Sequence, residues 1–105
     1  MFGFLNSLFG QPDNKQLIEA IKEGAFLVDV RTPAEFSGGS VKGAVNIPLD
    51  SVGSQLAKFK DKKHIVVFCR SGNRSGQAKG ILEQNGFQNV INGGTWENVS
   101  QAAAQ

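Results

Sequence analysis

One cysteine, one histidine, one methionine, one tryptophan and no tyrosine stand among 105 residues, and the scarcity of thiol and imidazole removes whole classes of function. A single cysteine forms no intramolecular disulfide, and one Cys with one His falls short of the four protein ligands of a structural zinc site. Charge is nearly balanced: eleven Lys and Arg against nine Asp and Glu leave a formal +2. That is too little for the basic footprint of a general nucleic-acid binder. Long apolar runs are missing as well. The N-terminal "MFGFLNSLFGQPDN" has no Lys or Arg, no sustained apolar stretch and no small-residue cleavage pattern, so it does not read as a secretory signal and is too short to span a bilayer. The expectation is a chain of the reducing cytoplasm with no transmembrane segment. Residues 1–12 read as a tail. Phe2, Leu5, Leu8 and Phe9 recur near helical spacing, but the Lys/Arg face of a membrane binder is absent.

What is present is an alternation of helical and strand patterns long enough for one core. In "DNKQLIEAIKEG", Asp13 is placed to cap a helix with Gln16 three residues on, Leu17, Ile18 and Ile21 form its apolar stripe, and Gly24 ends it. A strand follows at 26–30. "RTPAEF" carries a capping box, with Thr32 at the cap, Pro33 at the first helical position and Glu35 at the third. "GAVNIPL" predicts a brief buried strand ended by Pro48, and Asp50 predicts the cap of a helix reaching Phe59. The continuous apolar run 64–68 is the pattern of a strand covered on both faces in a parallel sheet. A helix over 75–85 stopped by Gly86, a strand over 88–91, a glycine turn at Gly93 and Gly94 and a last helix complete the pattern, with 101–105 as a C-terminal tail. Strands and helices alternating with short connections predict an α/β fold, a three-layer sandwich around a mostly parallel sheet. Sites on such sheets lie at the carboxyl ends of the strands.

Cys69 falls at that edge, in "VVFCRSGNRSG". Only a thiolate is nucleophilic, and its pKa falls near cations or at a helix N-terminus. Arg70 and Arg74 flank the thiol, and the helix predicted from Ser75 aims its free N–H groups at the loop. Gly72 and Gly76 permit the bends through which successive N–H groups converge on an anion. The alternative for Cys69 is a small buried hydrophobe. The sole histidine, His64, starts the same strand, roughly 15 Å away by the strand rise. It is therefore placed as an exposed strand-end residue and not as the base of a Cys–His pair, which disfavours protease or acyl-transfer chemistry.

Four stretches, "LVDVRTPAEF" (27–36), "GSVKGAVNIP" (39–48), "VVFCRSGNRS" (66–75) and "NGGTW" (92–96), together resemble the rhodanese homology domain over about residues 13–98, which places the domain at 13–100. The resemblance implies a rhodanese-like fold and a single-domain thiosulfate sulfurtransferase. Cys69 would take a sulfane sulfur from thiosulfate as a persulfide and pass it to cyanide or a thiol. Arg70, Ser71, Gly72, Asn73 and Arg74 would bind the substrate, with Asp29, Arg31 and Ser75 in support and with no cofactor or metal. Ser40 stands where many members carry His, and Trp96 is expected in the core or at its rim. The implied partners are a small anionic sulfur donor and its acceptor, on a monomer or weak dimer.

Three rival readings stand beside this one. Related Cys-loop phosphatases and arsenate reductases place five residues between Cys and the clamping Arg, whereas four separate Cys69 from Arg74. A persulfide carrier would use the same thiol but draw sulfur from a protein in a sulfur relay. A non-catalytic binding module of this fold typically lacks the cysteine.

Overall fold

The computed structural model describes residues 14–105. Its elements run α1 (Lys15–Lys22), β1 (Phe26–Asp29), α2 (Pro33–Ser37), β2 (Val45–Asn46), α3 (Leu49–Val52), a 3-10 turn (Leu56–Phe59), β3 (Ile65–Cys69), α4 (Asn73–Gln84), β4 (Val90–Thr95) and α5 (Trp96–Ala103). The four strands form one sheet in the order β2-β1-β3-β4, with every pairing parallel. The three-layer α/β sandwich predicted from the alternation is the fold observed.

The sheet is built around β3, all five residues of which are buried. Successive side chains of a strand point to opposite faces, and β3 divides accordingly. Ile65, Val67 and Cys69 join Val52, Phe59, Ala78 and Leu82 on the face covered by α3 and α4. Val66 and Phe68 join Leu17, Val99 and Ala102 on the face covered by α1 and α5. Burial of each large apolar side chain contributes about 1.5–3 kcal/mol relative to exposure. The strand that ends in the cysteine is therefore the most firmly held of the four.

Local expectations hold where a cap is complete in sequence. Thr32 accepts from the Glu35 N–H while Glu35 accepts from the Thr32 N–H, so α2 has its full capping box. Asn14 occupies the cap position of α1, and Asp13, expected there, lies outside the described residues together with the tail 1–12. Leu17 is buried, with Ile18 and Ile21 packed on the same cluster, and Gly24 ends the helix at φ +86°.

Elsewhere tertiary packing moved the boundaries. The helix expected from Asp50 to Phe59 is broken: α3 begins one residue before Asp50 with Pro48 at its cap and stops at Gly53, and the chain resumes as the 3-10 turn. Ser54 closes the break by donating its hydroxyl to the Ser51 carbonyl at 3.0 Å. β2 is an edge strand and not a buried one, with Val45 39% exposed. β4 begins later than predicted and continues through both glycines. Val67 pairs with Asn92 and Phe68 with Gly94, which makes Gly93 a bulge residue and not a turn. A Cβ on Gly93 would lie 2.5 Å from Val99 Cγ2 and 3.0 Å from Val66 Cγ1, so no side chain fits there. Residues 101–105, expected as a tail, contribute the last turn of α5, which runs to Ala103 with Ala102 buried.

Candidate active site

Cys69 is the last residue of β3, at the carboxyl edge. The next three residues turn the chain into α4, which begins at Asn73 and not at Ser75. Gly72 is its N-cap at φ +94° and provides no side-chain cap. Asn73 and Arg74 are therefore the first turn of the helix. Gly76, expected to help the loop bend, is inside it, its N–H bonded to the Gly72 carbonyl at 3.0 Å.

The free N–H groups at a helix start need acceptors, and here two of the donors around this turn find sulfur. The Gly72 N–H donates to Cys69 Sγ at 3.0 Å and the Ser75 N–H at 3.4 Å. The Ser75 hydroxyl lies 3.5 Å from the same sulfur. Cys69 is wholly buried, as its apolar alternative required, yet the sulfur faces hydrogen-bond donors. Burial pushes the thiol pKa up, while the Ser75 hydroxyl and N–H and the Ser71 and Gly72 N–H groups pull it down. The balance falls below the ordinary value. Of the two aids expected together for this thiol, the arginines and the N–H groups of the helix start, the second makes the contacts that lower its pKa.

Those arginines differ. Arg74 is bound in bidentate fashion by Glu35, with Nη1 donating to Oε1 at 2.8 Å and Nη2 to Oε2 at 3.0 Å. This carboxylate raises the Arg74 pKa and offsets its charge. Arg70 is exposed, and among the described residues no carboxylate pairs with it. Of the two, it is the cation open to an incoming anion. Ser71 is exposed and its hydroxyl accepts from the Asn73 N–H at 3.5 Å.

Asp29 and Arg31 form a buried pair at the end of β1. Arg31 Nη2 reaches Asp29 Oδ2 at 2.7 Å and Nε reaches both carboxylate oxygens at 3.0 Å. Ser40, in the position where histidine is common, donates to Asp29 Oδ2 at 2.7 Å. The Arg31 guanidinium also donates to the Gly39 carbonyl and lies 5.2 Å from the centre of the Trp96 ring. None of these contacts reaches the sulfur, so the pair ties β1 to the segment after α2 and to α5. Beside it, Val30, Thr32, Pro48, Leu49, Asp50 and Arg74 line a shallow depression of about 110 Å³.

His64 sits at the opposite end of β3, half-buried and 2.6 Å from Glu23, far from the thiol. Two residues of the site had no sequence signal for their placement. Glu35 was legible as a cap, but nothing marked it as the partner of an arginine 39 positions away. Asn92 sits before the glycine pair and reaches Ser75 Oγ at 2.7 Å across 17 positions.

Comparison with known proteins adds the family. The rhodanese-like domain model matches residues 13–100. The chain is 37% identical over 70 residues to a sulfurtransferase of Allochromatium vinosum, an alignment covering 67% of this chain and 65% of that protein. It is 37% identical over 75 residues to the Escherichia coli thiosulfate sulfurtransferase PspE, covering 70% and 72%. The human single-domain sulfurtransferase TSTD1 superposes with a TM-score of 0.68 at 28% identity, over 79% of this chain and 88% of its own. The match takes in the sheet, the buried Asp29–Arg31 pair and the turn around the thiol alike, and on that extent the chain belongs to the rhodanese-like domain family.

Proposed function

We propose that the protein is a sulfurtransferase in which Cys69 carries a sulfane sulfur as a persulfide. The observation that carries this reading is the convergence of the Gly72 N–H and the Ser75 N–H on one sulfur atom, with the Ser75 hydroxyl 3.5 Å away as a third polar partner. Such a nest favours an anion on sulfur without a neighbouring base. The Cys69 thiolate attacks the outer sulfur of thiosulfate, the S–S bond to the sulfonate breaks with its electron pair, and sulfite leaves. A cyanide or thiolate acceptor then attacks the outer persulfide sulfur, and the Cys69 thiolate departs with the electrons of the second S–S bond. Charge and sulfur balance in both steps, with no external oxidant. Arg70 attracts the donor dianion, while Ser71, Asn73 and Arg74 shape the mouth of the nest. The rhodanese-like family and the sulfurtransferases at 37% identity support the reaction class.

Mass measurement of the intact protein tests it. After incubation with thiosulfate the protein gains one sulfur atom, cyanide removes it, and Cys69→Ala never acquires it. Addition from a protein persulfide but not from thiosulfate would replace this donor with a relay partner. Hydrolysis of an aryl phosphate would overturn the reading.

A further inference from the structure

Ser75 is fully buried, and its hydroxyl has one proton for two acceptors. Asn92 Oδ1 is 2.7 Å from Ser75 Oγ, and Cys69 Sγ is 3.5 Å from it. A hydroxyl donates once and accepts through its lone pairs, so the two partners compete. We propose that Asn92 is a positioning residue that governs the direction of the Ser75 hydroxyl proton, and through it the readiness of Cys69 to ionise. The proposal rests on the reading of Cys69 as the nucleophile.

With a neutral thiol, the Cys69 S–H donates to Ser75 Oγ and the Ser75 O–H donates to Asn92 Oδ1. When the thiol releases its proton to solvent, or when a persulfide anion stands in its place, the hydroxyl turns to donate to sulfur. Asn92 Oδ1 is not left orphaned, because it also accepts the Gly94 N–H at 3.0 Å. The two proton arrangements are thus both satisfied, and Asn92 sets the balance by stabilising the thiol one. The same side chain donates Nδ2 to the Gly72 carbonyl at 3.2 Å, which is a separate, structural contact. The charged groups around the sulfur are Arg70, Arg74 with its Glu35 partner, and the Asp29–Arg31 pair. None of them hydrogen-bonds Ser75 or Asn92.

The two roles of Asn92 separate by substitution. Asn92→Ala removes the competing acceptor and leaves the Ser75 hydroxyl to the sulfur. The pH midpoint of Cys69 alkylation by iodoacetamide then falls, with about a two- to tenfold rise in the thiolate-to-thiol ratio at fixed pH, the worth of one hydrogen bond. Asn92→Asp keeps the acceptor, makes it charge-assisted and adds a negative charge, so the midpoint rises. Both variants lose the donor to Gly72, so loss of that contact alone would move both midpoints the same way; Asn92→Ala also loses the acceptor of the Gly94 N–H, an effect that would persist without the Ser75 hydroxyl. In a Ser75→Ala background the Asn92→Ala shift disappears, because the coupling passes through the hydroxyl. Shifts of equal sign, no shift, or a shift that persists without Ser75 would each overturn the proposal. Asn92 is exposed, so its variants keep the core intact, and alkylation followed by mass needs no sulfur donor. Failure of sulfur transfer would therefore leave this test readable.

Discussion

Of the helices that start at the carboxyl edge of the sheet, α2 and α4 start in opposite ways. α2 opens with a complete capping box in which Thr32 and Glu35 satisfy each other's backbone donors. α4 opens on a glycine with no side-chain cap, and donors of its turn go to a cysteine sulfur. A helix start that supplies its own acceptors is finished as structure, whereas one that leaves donors free can hold an anion. The two are joined by the Glu35–Arg74 pair. The scaffold helix thereby holds the first turn of the helix at the site and offsets the charge of its arginine.

Exchanging the properties of these two starts breaks the comparison most severely at Gly72. Gly72→Ala forces a side chain into φ +94°, at about 1–2 kcal/mol, and the strain is relieved by moving the N–H away from the sulfur. Denaturant midpoint and alkylation profile are both expected to suffer, the first falling and the second shifting to higher pH. Thr32→Ala comes next in size. It removes one cap at about 1 kcal/mol and should lower stability while leaving the alkylation midpoint of Cys69 in place. A displaced midpoint in that variant would mean that the scaffold start and the anion-holding start are one unit.

The smallest effect concerns the pair between them. The Arg74 side chain, followed by the Thr32 backbone N–H, holds the Glu35 carboxyl down at about 2 from an ordinary 4.5. A depressed carboxyl pKa contributes stability that is complete above the unfolded value and is lost as pH falls toward the folded one. Melting temperature should therefore lose a modest increment between about pH 4.5 and pH 2, the window set by those two values. Glu35→Gln should remove that increment from the curve, and a curve identical to the parent would show the pair to be without thermodynamic weight.

Much of the fold could be read from local patterns. The box at Thr32 and Glu35, the stop at Gly24 and the apolar run before Cys69 each satisfy their requirements within a few residues, and each appears where expected. The misreadings share a cause. Gly93 and Gly94 have the composition of a turn, but the close approach of Val99 and Val66 makes Gly93 a strand bulge. The helix from Asp50 fails at Gly53 although its apolar positions, Leu56 and Phe59, still pack on the core. Propensity is decided locally, whereas packing is decided by residues from distant segments.

The same division runs through the site. The sequence by itself determined that one thiol ends a buried strand, that a glycine-permitted turn follows it, and that a helix starts within reach, because strand, turn and helix are consecutive in the chain. Only the tertiary structure decided which cation stays open and what holds the Ser75 hydroxyl. Arg70 and Arg74 are equivalent in a list of residues, yet a carboxylate folded in from α2 occupies one and leaves the other exposed. Asn92 enters only because parallel pairing lays β4 beside β3. Hydrogen bonds and ion pairs act over a few ångströms, and that proximity between distant residues is made by folding.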